Sequence, residues 1–250
     1  MDLSFYTAAV GVQMQQERLN VHADNIANVN NYAFRARIPA FSSLMTGPVK
    51  AIERDMARGV GSKLEDSEMD LTSTLLSETG SALDFAIEGK GFFALLDMSS
   101  NQISYTRDGS FIMSKEVELD ANGVPIETDH ETWYLTDGNG RYVLGMDGQR
   151  IEVPPHASTA PVGLEINVGI FDFINHNGML SYSENRLLSL DKNGRVSLGT
   201  GKLLQGYLEE NNTDLAHEIS KVIESQRSFQ YMLRMVTTSD EIETTVNGLR

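Results

Sequence analysis

The chain has no cysteine in 250 residues. That excludes disulfides, thiolate metal sites and cysteine nucleophiles together, and it leaves the redox compartment open, since a chain without thiols tolerates any. Proline is scarce, with six in all and none before Pro39, so nothing interrupts a helix at the N-terminus. No apolar run reaches the ~18 residues that a membrane span needs, and no insertion into a bilayer is expected. The opening stretch MDLSFYTAAVGVQMQQERLN carries Asp2 and regularly spaced polar residues. A cleaved secretory signal has a basic start and a continuous apolar centre, so any export is expected to remove nothing. Bases are also few: 20 Lys and Arg face 35 Asp and Glu, a net charge of −15 that argues against nucleic acid as a partner. The imbalance is concentrated in residues 65–131, where fifteen acids meet only Lys90, Arg107 and Lys115. A solvated acidic face accounts for such a run, with a cationic partner as the alternative.

Reaction chemistry is equally sparse. The GTGK at 199–202 fails as a phosphate loop, because counting from Gly194 to Gly199 puts Thr200 where the lysine should stand. DANG at 120–123 and DKNG at 191–194 begin like calcium loops but lack the further carboxylates and the distal glutamate, and read as turns. The five histidines, His22, His130, His156, His176 and His217, have no ligand spacing. No G-x-S-x-G elbow occurs. The expectation is a protein that is not an enzyme, with no cofactor, no metal and no small-molecule substrate.

Periodicity is what the chain does have. Phe5, Ala9, Val12, Gln16, Leu19, Ala23 and Ile26 follow the alternating four-three spacing of a coiled-coil seam. The C-terminal segment repeats it with Leu215, Ile219, Val222, Gln226, Phe229, Leu233 and Val236. It then changes phase to Met235, Ser239, Ile242, Val246 and Leu249. Asn212, Thr213 and Asp214 supply the helix start. The simplest arrangement pairs the two terminal helices with each other. Between them, Asx-Gly pairs recur, among them Asp108-Gly109, Asn122-Gly123, Asp137-Gly138, Asp147-Gly148, Asn177-Gly178 and Asn193-Gly194, separating short apolar runs. The fold class is therefore α+β. An N-terminal coiled-coil helix (1–34) leads through an extended connector (35–81) to a central all-β domain (82–207), and a C-terminal coiled-coil helix (208–250) follows.

The first helix ends in HADNIANVNNYAF, with Asn25, Asn28, Asn30 and Asn31 within seven positions. Asparagine both donates and accepts, and it tolerates the left-handed conformation at a helix end, where carbonyls lack partners. HADNIANVNNYAFRA resembles the signature A-N-N-I-A-N-x-N-T-x-G-[FY]-[KR] of the flagellar rod and hook family. The resemblance continues through SFYTAAVGVQMQQERLNV, LDFAIEGKGFFAL, YTRDGSF and LEENNTDLAHEISKVIESQRSFQYMLRMVTTSDEIETTVNGL, so it spans the whole chain. It implies an axial structural subunit of the bacterial flagellum, located in the basal body. Such a subunit is exported unprocessed by the flagellar export apparatus, and it assembles with copies of itself and with other rod and hook proteins. It also implies assembly roles for the two seams and for Asn25, Asn28 and Asn30. One departure stands out: Ala33 occupies the place of the signature's turn glycine.

Within the family the rod is favoured over the hook or hook junction, because the β segment leaves little room for added outer domains. A reading from another class is a secreted carbohydrate-binding or adhesin module, with Trp133, Tyr134 and Tyr142 as a stacking platform. It leaves both terminal seams unexplained.

Overall fold

The computed structural model describes residues 3–51, 54–70, 74–115, 118–119, 125–126, 132–157, 162–163, 165–176, 179–182 and 185–249. The expected turns at Asn122-Gly123 and Asn177-Gly178 lie outside the described residues, as does part of the acidic 65–131 stretch. The architecture is α+β, with a helix at each end and a β-rich middle, and the chain divides into two compact units.

The first unit gathers Met1–Val29, Ala36–Asp70 and Thr213–Arg250. Helix α1 runs Leu3–Ala27 and helix α2 runs Leu215–Gly248, 25 and 34 residues long. The Asp214 carboxylate caps α2, accepting from the amides of Ala216 and His217 at 3.0 and 3.2 Å. Such a cap contributes about 1 kcal/mol. Within the segment expected as an extended connector, strands β1 (Arg37–Ala51) and β2 (Arg54–Met69) pair antiparallel from Arg37 opposite Met69 to Ala51 opposite Arg54. The register shifts three times, and the last shift, between Thr46 and Val49, leaves Gly47 and Pro48 out of the ladder. A proline that cannot donate to the ladder is tolerated at such an irregularity. Both helices pack within this unit, α1 against α2 and against β1 and β2.

The second unit comprises Asn30–Arg35 and Leu71–Asn212. Its largest sheet runs, edge to edge, through strands Glu152–Val153, Trp133–Thr136, Tyr142–Val143, Phe93–Asp97, Gln102–Thr106, Arg186–Leu188 and Leu180–Tyr182. Ile112–Lys115 pairs with Trp133–Thr136 as well. Phe85, Ile87, Phe93, Leu95, Leu135 and Val143 are fully buried and form the centre of one core. The central strand Phe93–Asp97 is buried on both faces from Phe93 to Leu95. Gly109 has a purpose other than a tight hairpin. The Phe85 amide donates to its carbonyl at 3.0 Å, and a Cβ on Gly109 would stand 1.7 Å from the Phe85 carbonyl oxygen. No other residue fits this crossing of two backbones.

Candidate functional site

In the first unit the helix pair carries the relevant surface. His22 Nδ1 lies 2.7 Å from Glu218 Oε2, and both residues are buried. With a carboxylate as acceptor, Nδ1 carries the donated proton. Arg18 reaches Glu224 at 3.8 Å, a half-exposed pair that contributes little. Met232 Sδ lies 3.1 Å from where a Cβ on Gly11 would stand, so the missing side chain is what admits the thioether. Glu218, Ser225 and Met232 are seven residues apart on α2. Gly11 and Arg18, and likewise Gln15 and His22, are seven apart on α1. The facing positions thus keep a heptad spacing, but their occupants are small or polar.

The structure differs here from the simplest sequence expectation. On α1 the face toward α2 lies one residue before the apolar stripe. Ala9, Gln16 and Ala23 are exposed, while Phe5, Val12, Leu19 and Ile26 are half-buried. On α2, Val222, Phe229 and Val236 are half-buried. Leu215, Ile219, Gln226, Leu233, Ile242 and Val246 are exposed, the five aliphatic ones by 41–57%. The physical reason lies in α1: the face bearing Ala8 and Gly11 allows close approach, and His22 finds a buried acceptor only from that face. From residue 240 to 249 every residue of α2 is exposed.

Asn25 is completely buried and works inside its own chain. Its Nδ2 donates to the Arg37 carbonyl at 3.0 Å, and its Oδ1 accepts the Arg37 amide at 2.9 Å. One side-chain amide therefore imitates a strand partner at the first residue of β1. Asn28 Nδ2 donates back to the Asp24 carbonyl at 2.9 Å, closing the helix end, and Asn30 is exposed. Of the expected assembly asparagines, Asn25 and Asn28 have intrachain partners and Asn30 faces solvent.

In the second unit three sequence motifs meet at Glu209, which is 3% exposed. Its carboxylate pairs with Arg35, which is equally buried, and with Arg107 at 3.4 Å. It also accepts from the Thr74 hydroxyl at 2.9 Å. The Glu209 carbonyl accepts the Ala33 amide at 2.7 Å. Arg107 donates further to the carbonyls of Ile87 and Gly89 and lies 5.5 Å from the centre of the Phe92 ring. Burial pulls the Arg107 pKa down, and the Glu209 charge opposes that fall. Ala33, at φ 53°, holds the left-handed conformation that glycine would adopt freely, so the turn keeps its shape without the expected glycine. This cluster is not apparent in a sequence reading that looks for catalysis. The available signal was that Arg107 is one of three bases among fifteen acids.

A cavity of about 190 Å³ in the same unit is lined by Thr106, Asp108, Ser110, Asp137, Asn139 and Arg186 among others. Asp108 has a raised pKa, first through burial, while hydrogen bonds from the Ser110 amide and hydroxyl pull it back. Among the described residues no group of His, Asp and Glu could hold a metal ion. The aromatic trio does not form an open platform. Tyr134 is buried, and it meets Tyr142 edge-on at 5.5 Å. Arg150 lies over both rings at 4.8 and 5.2 Å, and Trp133 packs on the core beside Lys115.

Two long helices, Asn25 at the exit of the first, and motifs converging on Glu209 describe one class of protein, with large helical surfaces and a distinct β-rich unit. Residues 86–167 match the family described as flagellar hook protein FlgE/F/G D1 domain, and residues 204–249 match flagellar basal body rod FlgEFG protein C-terminal. The flagellar basal-body rod protein FlgG of Buchnera aphidicola subsp. Schizaphis graminum (strain Sg) is 29% identical over 96% of both chains. That of Bacillus subtilis (strain 168) is 28% identical over 96% of both. The flagellar basal-body rod protein FlgF of Rhizobium meliloti (strain 1021) is 29% identical over 96% of this chain and 94% of its own. The chain belongs to the flagellar basal-body rod and hook family.

Proposed function

We infer that the chain is a non-catalytic axial subunit of the flagellar rod, which assembles helically with copies of itself and with other rod and hook proteins and transmits torque. One observation carries this reading: aliphatic side chains stand exposed at helical spacing along α2, in a chain that aligns end to end with rod proteins. Leu215, Ile219 and Leu233, then Ile242 and Val246, would cost less covered than wet, at about 25 cal/mol per Å² buried. A second copy presenting the same surfaces is the occupant that covers them, in a coiled-coil layer built from both terminal helices together with Phe5, Val12, Leu19 and Ile26. No helix among the described residues is long and apolar enough to cross a membrane. Passage to the basal body through the flagellar export apparatus is proposed from the family membership alone. The boundaries 1–34, 35–81, 82–207 and 208–250 are proposed as the functional division, with the β body needing neither helix for its core. Position in the rod is preferred to the hook because the rod proteins FlgG and FlgF are the aligned relatives.

The test is complementation. A strain lacking the gene is supplied with the wild-type chain or with Leu233→Asp, and basal bodies are purified and imaged. Wild type should restore rods and swimming, and the variant should not enter the rod. Swimming cells with Leu233→Asp would remove the assembly role of α2.

A further inference from the structure

The apolar residues of α1 and α2 leave the alignment of the two helices ambiguous. Phe5, Val12, Leu19 and Ile26 recur every seven residues on α1, as Val222, Phe229 and Val236 do on α2, and all are half-buried. Sliding one helix past the other by one heptad, about 10 Å, sets the same apolar pattern against itself again. The polar and small positions do not repeat in this way. Gly11 faces Met232, Arg18 reaches Glu224 and His22 meets Glu218, so numbers rise along one helix as they fall along the other. The pair is antiparallel and holds one register. One and two heptads on from Glu218 stand Ser225 and Met232, neither of them a carboxylate. A slide in one direction puts His22 against Ser225 and carries Glu218 past the end of α1 at Ala27. A slide in the other carries His22 past the first residue of α2, Leu215. Either breaks the 2.7 Å bond, and the first leaves a buried imidazole without its carboxylate. The other ring nitrogen, Nε2, is already buried without a hydrogen-bond partner, so the hydrogen bonding of the ring rests on Glu218.

We propose that His22 and Glu218 are positioning residues, which fix the register of α1 on α2 and with it the length of α2 that projects past α1. A buried polar pair adds little stability over apolar residues of similar size, and its best-attested use is to select one register among several. Continuing the observed pairing, Leu3 at the start of α1 falls opposite about residue 240. From there to Leu249 every residue of α2 is exposed, Ile242 and Val246 among them. A slip of one heptad lengthens or shortens this projecting end by about two turns. It also displaces both aliphatic side chains relative to everything that α1 touches. The use of the projecting end in a rod rests on the self-assembly reading above, whereas the register is a property of the single chain.

The chain has no cysteine, so spin labels on Ala23→Cys and Gln230→Cys, both at exposed positions, read the register of the purified full chain as a dipolar distance. In the present register the two sites lie about 16 Å apart along the helix axis, and a heptad slip changes the measured distance by at least about 5 Å. With His22 and Glu218 in place, one distance is expected. His22→Leu with Glu218→Leu should keep the helical circular dichroism and move at least a fifth of the chains to a shifted distance. Exchanging the pair, His22→Glu with Glu218→His, should restore the single distance, which a merely space-filling role does not predict. One unchanged distance in the leucine variant overturns the inference, because the chain connections alone then hold the register. Several distances in the native pair overturn it as well, as do loss of the helices in the leucine variant or an exchanged pair no narrower than that variant. In the complemented strain the leucine variant should enter rods at least tenfold less than the exchanged one. Equal entry overturns the consequence for the rod. A wild-type chain absent from rods removes the self-assembly reading and leaves the distances to decide the register.

Discussion

Replacing Asn25 tests the link between the first helix and β1. The side chain is completely buried and makes two bonds to one residue, accepting from the Arg37 amide at 2.9 Å and donating to its carbonyl at 3.0 Å. Asn25→Ala removes both, and each unpaired group costs roughly 1–3 kcal/mol when dry. Arg37 is itself half-exposed, so water reaches part of the gap and the expected loss is about 2–3 kcal/mol. Asn25→Asp separates the two bonds. One carboxylate oxygen still accepts the amide, while the other replaces a donor and faces a carbonyl oxygen. Burial and that carbonyl both oppose the charge, so the new carboxyl's folded pKa lies above its unfolded value of about 3.9. The stability it contributes is therefore present below about pH 4, where the acid form donates to the carbonyl, and is lost as pH rises through the folded pKa. The slope is about 1.4 kcal/mol per pH unit over that window. Hydrogen exchange of the Arg37 amide, with urea unfolding of the whole chain between pH 4 and 7, measures both effects. Equal destabilisation of the two variants at every pH, or an alanine variant within about 0.5 kcal/mol of wild type, would refute the reasoning.

Outcomes are expected at four further positions. Glu209→Ala removes the buried carboxylate that pairs with Arg35 and Arg107 and should destabilise the β body by about 3–5 kcal/mol in thermal unfolding; a loss under about 1 kcal/mol would show the cluster to be ornamental. Ala33→Gly trades relief of the left-handed strain against chain entropy and should stay within about 1 kcal/mol of wild type. Ala33→Val, a β-branched residue at positive φ in a site 1% exposed, should lose more than about 2 kcal/mol. The raised Asp108 pKa means that wild type bears its charge penalty at pH 7 and sheds it in acid, so the melting temperature of Asp108→Asn relative to wild type should fall as pH drops through the raised folded value and level off below the ordinary aspartate value; a pH-independent difference would contradict the burial argument. Ile242→Asp, on a surface that no described residue covers, should leave monomer unfolding within about 0.5 kcal/mol while excluding the chain from rods.

The terminal helices were legible because a period of four and three residues survives in any context, and because Asp214 is a strong start signal. Their facing was not legible. Hydrophobicity ranks Leu19 and Leu215 as interior, but in a single chain the polar His22 with its acceptor Glu218 takes that place. Burial of a paired polar group depends on a partner 196 residues away, which no local window contains. The β hairpin of Arg37–Met69 was legible only as an extended connector with some strand pairing possible: glycines, charges and a proline weaken the alternation, and its bulges break the period further. Asparagine density at the first helix end was readable as a signal, but its use was not. Only the fold brings Arg37 to Asn25. The motif residues Arg35, Arg107 and Glu209 were each visible in the sequence, yet their common meeting point is a tertiary fact.

The Ala33–Glu209 bond has a mechanical consequence. Residue 33 belongs to the segment that continues from the first helix, and residue 209 to the one that leads into the second. Glu209 ends the strand Tyr207–Glu209, so tension entering along those two segments meets this backbone bond, the adjacent Arg35–Glu209 pair and the Glu209–Leu76 end of a strand ladder together. A short staple, and not only the breadth of the sheets, is then among the first contacts to bear load as the β body is pulled.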